Sequence, residues 1–265
     1  MIYYEFMKRA VFSGSIIATI CGVVSVFVAL RKNYFSTHIF SHTSLTGASF
    51  SLLCNMPQIL GEIIFNMLSA IILGLLGEKI TKSDLTVSLI LTFSLGLSSY
   101  FLYLFQSGYA GSVMSILFGD ILTVSTRQIN ILIIVGIFII ISLLLISRRL
   151  YFISIDPIIA QSKLISIRKY SIYFYIILAL SSSMACQMVG SLLVFSLLIG
   201  PGSIAFQYCD NFYHALIFSV IISNVTVWSS LAISFYLDLP VSFCITSLIF
   251  IIYITGNSFL TSSPT

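Results

Sequence analysis

The sequence predicts an all-α, polytopic integral membrane protein with eight or nine transmembrane helices, in a single domain spanning residues 1–265. Three observations carry that prediction. Of 265 residues, 58% are hydrophobic and only 8% are charged, where a soluble domain carries about a quarter charged. Mean hydropathy is +1.11, more apolar surface than so few charges can screen from water. The apolar runs are continuous and close to the roughly 20 residues a helix needs to cross a bilayer. They lack the polar–apolar alternation of a membrane β-barrel.

The spans follow in chain order. Residues 10–30 have the look of a signal peptide, but the run outlasts a signal's apolar region. Arg31-Lys32-Asn33 follows it with no small-residue cleavage site, so it reads as a retained first span. The second, 39–55, is short, begins among Ser, Thr and His, and stops at Asn55-Met56-Pro57. The third, 58–77, ends in the polar stretch Glu78–Asp84, and the fourth, 85–106, ends at Ser107–Gly111. The fifth, 128–147, runs into the longest polar segment, 148–169, which is too short for a soluble domain. Spans 170–188 and 189–206 are divided by the faintest of the breaks. Cys209–Asn211 and Asp238–Pro240 precede the last two, 213–237 and 241–260.

Orientation follows from lysine and arginine, which favour cytoplasmic loops. With the 148–169 loop in the cytoplasm, nine of the twelve basic residues fall on that side: Arg31, Lys32, Lys79, Lys82, Arg148, Arg149, Lys163, Arg168 and Lys169. Only Lys8, Arg9 and Arg127 lie opposite, which puts the N-terminus outside. The net charge of +4 is therefore scattered through loops and does not point to nucleic acid. The five cysteines lie singly, with no C-x-x-C spacing, and read as small core residues.

Serine and threonine are frequent within the spans, as in Ser181-Ser182-Ser183, where small hydroxyl side chains let helices pack closely. Pro201, in Leu198-Ile199-Gly200-Pro201-Gly202, is expected to break its helix or to kink it. A break in the membrane must be buried in protein or line a cavity, as it does along substrate paths.

His38 and His42 are two of the chain's three histidines. Spaced i, i+4, they face one side of a helix. Ionisable groups at the mouth of an apolar span are costly and usually functional. Imidazole suits zinc, manganese and iron(II), and two ligands make an incomplete site of the kind that releases an ion as readily as it takes one. An interfacial pair hydrogen-bonded to its neighbours is the plainer reading. Elsewhere, Asp156-Pro157 is a strong helix start, with Asp as cap and Pro in the first turn. The short amphipathic helix that follows, with Ile158, Ile159, Ser162 and Ile165 near one face, would lie on the membrane or dock into a partner's groove. Glu62, Asp120, His214 and Asp238 stand alone near span ends, where solvated or capping roles are expected. There is no phosphate-binding loop, catalytic triad or H-E-x-x-H motif. No enzymatic activity is expected, and ATP, if used, would be hydrolysed by another chain.

Four stretches, in order, give the chain a resemblance to the membrane permeases of manganese/zinc-type ABC importers. Ser41-His42-Thr43-Ser44-Leu45-Thr46-Gly47 resembles the family's S/A-H-x-x-L-x-G signature, and Leu117-Phe118-Gly119-Asp120-Ile121-Leu122 its F-G-D/N-I/L-L segment. Asp156-Pro157-Ile158-Ile159-Ala160 is similar to its D-P-x-x-A coupling segment. Val189–Pro201 resembles its V-G-x-L-L-V-x-x-L-L-I-x-P helix. The likeness covers roughly residues 10–260. It implies a homodimeric permease of a bacterial cytoplasmic (inner) membrane with its pathway at the dimer centre. A cytoplasmic ATPase subunit would serve each copy, and an extracytoplasmic binding protein, a lipoprotein or periplasmic protein, would deliver the ion. The segment from Asp156 would be the coupling helix and His42 the pathway histidine. Gly47, Asp120, Gly190 and Pro201 become pathway or gate candidates. No permanently bound cofactor is implied; the divalent zinc, manganese or iron is cargo. One departure stands out: the family usually has Asp four residues before the histidine, and this chain has His38. Exchanging a carboxylate for an imidazole should tilt the site towards zinc. The competing expectation is a stand-alone cation transporter or channel, which would need its own coupling-ion site in spans that hold few acids.

Overall fold

The computed structural model describes residues 5–76, 84–105, 116–119, 121, 124–163 and 166–261. Regular structure among them is helical throughout. In chain order the helices are α1 (Glu5–Arg31), α2 (Tyr34–Leu53), α3 (Gln58–Leu76), α4 (Asp84–Leu104), α5 (Thr126–Ile155), α6 (Pro157–Ser162), α7 (Ile167–Val189), α8 (Ser191–Tyr208), α9 (Phe212–Leu237) and α10 (Val241–Thr261). Each of the nine expected spans coincides with one of the nine long helices. By length and apolarity, α1, α3, α4, α5, α7 and α9 meet the requirement for crossing a membrane. The apolar stretches of α8 and α10 are shorter, and α2 is diluted by its Ser, Thr and His residues.

The bundle is built around α1 and α7, the two most enclosed helices, with 72% of each apolar stretch buried. α1 packs against α8, α9 and α5, while α7 packs against α3, α5 and α2. α2 is held by α3, α4, α7 and α8. Lipid tails are as apolar as Leu, so close backbone approach and hydroxyl contacts supply what hydrophobic contrast cannot. A Cβ on Gly202 would stand 2.2 Å from the Ser25 carbonyl oxygen, and one on Gly47 2.3 Å from that of Gly61. Most serine and threonine hydroxyls turn back on their own helix, as Ser181 does to Ile177 at 2.8 Å. A few cross between helices, as Ser25 and Ser219 do at 2.9 Å.

Two arginines tie three helix ends together at one end of the bundle. Arg31, at the end of α1, donates from Nη2 to Ser171 Oγ at 2.8 Å and lies 5.0 Å from the centre of the Phe174 ring. Arg168 donates to the Leu75 carbonyl at the end of α3. The ends of α1 and α3 thus share a side with the start of α7, as the charge distribution requires. Arg31 is nevertheless not a loop residue: it is buried, its guanidinium packed on α7.

Four expectations need correction. α2 begins at Tyr34, five residues before the expected span, so the histidines lie within a helix rather than at its mouth. α5 continues to Ile155, because Arg148 and Arg149 satisfy a helix as well as apolar residues do. The expected coupling helix contracts to α6 because Ser166, with extended backbone angles, already starts α7; Ile165 lies outside the described residues. Of the two outcomes expected at Pro201, the break is not seen: α8 runs uninterrupted from Ser191 to Tyr208, which leaves the kink.

The faint break before 189 is a sharp turn at Gly190. It ends α7 and starts α8 with φ 88° and ψ 156°, angles essentially reserved for glycine. Gly119, also at positive φ, lies directly against it: a Cβ on Gly190 would stand 2.4 Å from the Leu117 carbonyl oxygen, and one on Gly119 2.4 Å from the Gly190 nitrogen. Two of the four motif stretches therefore meet backbone to backbone. Gly190→Ala is expected to cost about 1–3 kcal/mol in backbone strain alone, before the collision, and to lower the melting temperature in detergent by several degrees. Gly96→Ala on α4, where a Cβ meets nothing within 4 Å, is the control and should be neutral or stabilising.

Candidate functional site

His38 and His42 project from α2 towards α8, both half-buried. Their rings are stacked, with centroids 4.6 Å apart and planes 19° from parallel. His38 also meets Phe195 of α8, at 4.4 Å between centroids with the planes tilted by 54°. Its Nδ1 is buried and has no hydrogen-bond partner among the described residues. The lone pairs of an imidazole lie in its plane. Two near-parallel stacked rings therefore cannot point both at one ion about 2.1 Å from each; one ring must tilt first. The described residues contain no group of three or more His, Cys, Asp or Glu able to hold a metal. As arranged here, the pair offers at most two imidazole nitrogens.

Phe195 also lines a cavity of about 840 Å³ between α1, α8 and α10. Its walls include Tyr34, Ser196, Ile199 and Gln207, with Lys32 at one edge. Phe195 thus touches both this space and His38.

The opposite face of α2 is fastened. Thr43 Oγ1 donates to Asn66 Oδ1 at 2.5 Å, and Asn66 Nδ2 donates to Ser44 Oγ at 2.6 Å and Ser183 Oγ at 2.9 Å. Asn66 is wholly buried, so each of these bonds replaces water that the interior cannot supply. Thr46, one turn beyond His42 and so on the histidine side of α2, reaches the Ser94 carbonyl on α4 at 2.9 Å. The helix bearing the histidines is therefore anchored on α3, α4 and α7, with its imidazoles on the side facing α8. Of the other pathway candidates, Gly47 sits at the α2–α3 crossing, Gly190 at the α7–α8 turn and Pro201 buried inside α8. Asp120 lies outside the described residues.

Glu62 departs from its expected solvated role. It is 0% exposed on α3. Gln58 Nε2 donates to its Oε1 at 2.9 Å, while Oε2 has no partner among the described residues. One turn of α3 separates it from Asn66, and the close α2–α3 crossing at Gly61 draws it inward. A buried carboxyl group without a cation beside it is a liability that a neutral isostere removes. Glu62→Gln is expected to leave the melting temperature unchanged or raise it; a fall of several degrees would reveal a cationic partner. His214 is exposed, and Asp238 caps α9 in the left-handed region, as span-end residues should.

At the basic end, Asp156 Oδ1 accepts from the backbone N–H groups of Ile158 and Ile159, both at 2.9 Å, and so starts α6. Pro157 is its first residue. Ala160 is buried against the bundle, while Ile158 is 79% and Ile159 47% exposed. An apolar tip held out from the protein on a capped turn is a ready docking element.

Phe195 and Asn66 escaped the sequence reading. An asparagine inside Ile63-Ile64-Phe65-Asn66-Met67-Leu68 was a usable signal, since amides in spans seek partners. One phenylalanine among 22 carries none.

The sequence pattern of the ABC 3 transport family matches residues 3–259. The manganese import system permease protein ScaB of Streptococcus parasanguinis is 27% identical over 243 residues, 91% of this chain and 86% of that protein. The manganese transport system membrane protein MntB of a Synechocystis species is 28% identical over 240 residues, 89% of this chain and 76% of that one. The solved structure of PsaBC from Streptococcus pneumoniae, in complex with Fab, superposes with a TM-score of 0.84 at 24% identity, covering 96% of this chain and 91% of its own.

Proposed function

Since this chain belongs to the ABC 3 transport family, we propose that His38 and His42 form a transient station for a divalent metal ion on its translocation pathway. The chain is a multi-pass permease subunit of a bacterial inner-membrane ABC transporter, a transport subunit rather than a classical enzyme. The observation that carries the proposal is the stacked pair on α2 with the buried, unpartnered Nδ1 of His38. ScaB and MntB are named for manganese, which supports a metal ion as cargo here. A second copy of the chain, a cytoplasmic ATPase and an extracytoplasmic metal-binding protein complete the importer. α6 is the element that meets the ATPase, with Ile158 and Ile159 entering its groove and Asp156, Pro157 and Ala160 setting the turn. Family membership leaves no support for a gradient-driven carrier.

In the stacked state the rings cannot chelate. Tilting one of them, with Phe195 moving aside, opens a ligand set of two imidazoles towards the cavity. Nucleotide-driven motion passed from α6 along α5 and α7 would alternate these states. Such a site is softer than one with a carboxylate and favours zinc over manganese. Reconstituted uptake with both ions in competition tests this. The native chain should prefer zinc and His38→Asp should move the preference towards manganese; manganese preference in the native chain would refute it.

A further inference from the structure

A second cavity, of about 660 Å³, lies between the end of α5 and the start of α7. Arg149, Lys163, Ser166, Lys169, Tyr170 and Tyr173 line it, together with Ile146. Three cationic residues line it and no carboxylate is among them. Arg149 is held in place: its guanidinium donates to the Tyr170 hydroxyl and lies 5.3 Å from the centre of that ring. The Lys163 ammonium sits 4.8 Å from the centre of the Phe152 ring. Ser166, the cap of the 23-residue helix α7, is itself among the lining residues, so the positive end of that helix adjoins the cavity. The volume falls within the range of small-molecule sites.

We propose that this cavity binds the phosphate of an anionic phospholipid headgroup. Three features favour a lipid over a free phosphate. The cavity lies at the basic end of the bundle, where the charge distribution places the cytoplasmic surface and where basic pockets between helices take acidic headgroups. Tyr170 and Tyr173 carry the amphipathic rings enriched at that depth. Below the cavity, α5 presents a bare apolar flank, with Leu145 78% and Ile141 52% exposed, along which acyl chains can lie. The site also brackets α6: Lys163 follows its last residue and Ser166 precedes α7. A bound headgroup therefore braces both connections of the element that meets the ATPase. The lipid site is independent of what the histidine pair carries.

The test uses the complete permease–ATPase complex in nanodiscs of phosphatidylcholine alone or doped with phosphatidylglycerol. Native mass spectrometry counts retained lipids, and ATPase rate is followed in parallel. The native complex should retain phosphatidylglycerol selectively and hydrolyse ATP faster in its presence. Arg149→Gln, Lys163→Gln and Lys169→Gln together should reduce the selectivity by at least about tenfold. Lys163→Arg with Lys169→Arg should preserve it. Should the triple variant fail to assemble, Lys163→Gln and Lys169→Gln singly should each show a partial loss. Inorganic phosphate should not displace the lipid. Equal retention in native and charge-removed complexes would overturn the proposal. So would displacement by inorganic phosphate without lipid preference, which would make the ligand a soluble phosphate, or protection of the cavity by the ATPase itself.

Discussion

His42→Ala is expected to abolish growth-supporting metal uptake, lowering the initial rate by at least about 100-fold, since even residues behind a metal ligand alter affinity about 10–100-fold. His42 lies one residue from Thr43 and so belongs to the anchored part of α2, where the Asn66 network fixes the backbone. Losing its imidazole leaves the geometry intact and removes half the proposed ligand set. His38→Ala should cost less, because His38 leans on Phe195 and must leave that contact before it can bind. Radioisotope uptake by cells expressing each variant, corrected for permease in the membrane, gives the comparison. Equal losses would mean that the two imidazoles act as one unit.

Ile158→Asp combined with Ile159→Asp should release the ATPase subunit while leaving the permease folded. Both side chains are exposed, so neither substitution disturbs the bundle, and Asp156 still caps the turn. Burying two carboxylates in an apolar groove is expected to weaken association by about 3 kcal/mol or more, roughly a hundredfold. Co-purification of the ATPase with the tagged permease reads this directly. Unchanged co-purification would assign α6 to the membrane surface instead.

Hydropathy made the helices legible because a span needs only length and apolarity, and all nine expected spans became helices. It could not show where helices end in polar surroundings. Arg148 and Arg149 stopped the expected span, yet α5 runs on to Ile155. The division near 188–189 looked faint because its signal is a single backbone geometry at Gly190. That glycine's importance rests on contact with Gly119, some 70 positions earlier. Pro201 illustrates the converse: a local helix breaker overruled by the packing of α8 on α1 through Gly202. Glu62 looked solvated because it lies near a span end. Its burial follows from the close crossing of α2 and α3, which neither residue's neighbours in the chain announce.

For the site, the i, i+4 spacing correctly placed both imidazoles on one side of α2. The contact of His38 with Phe195 depends on α8, brought alongside from more than 150 residues away. The departure from Asp to His at position 38 was visible only against the family pattern. The softer site proposed from that exchange rests on the residue type alone.

ATP-driven uptake by the purified permease and ATPase in proteoliposomes tests the central claim most directly. The expected result is saturable accumulation of zinc or manganese against its gradient, dependent on ATP and on the ATPase subunit, and lost with His42→Ala. Accumulation that proceeds without the ATPase, or that His42→Ala leaves intact, would contradict it.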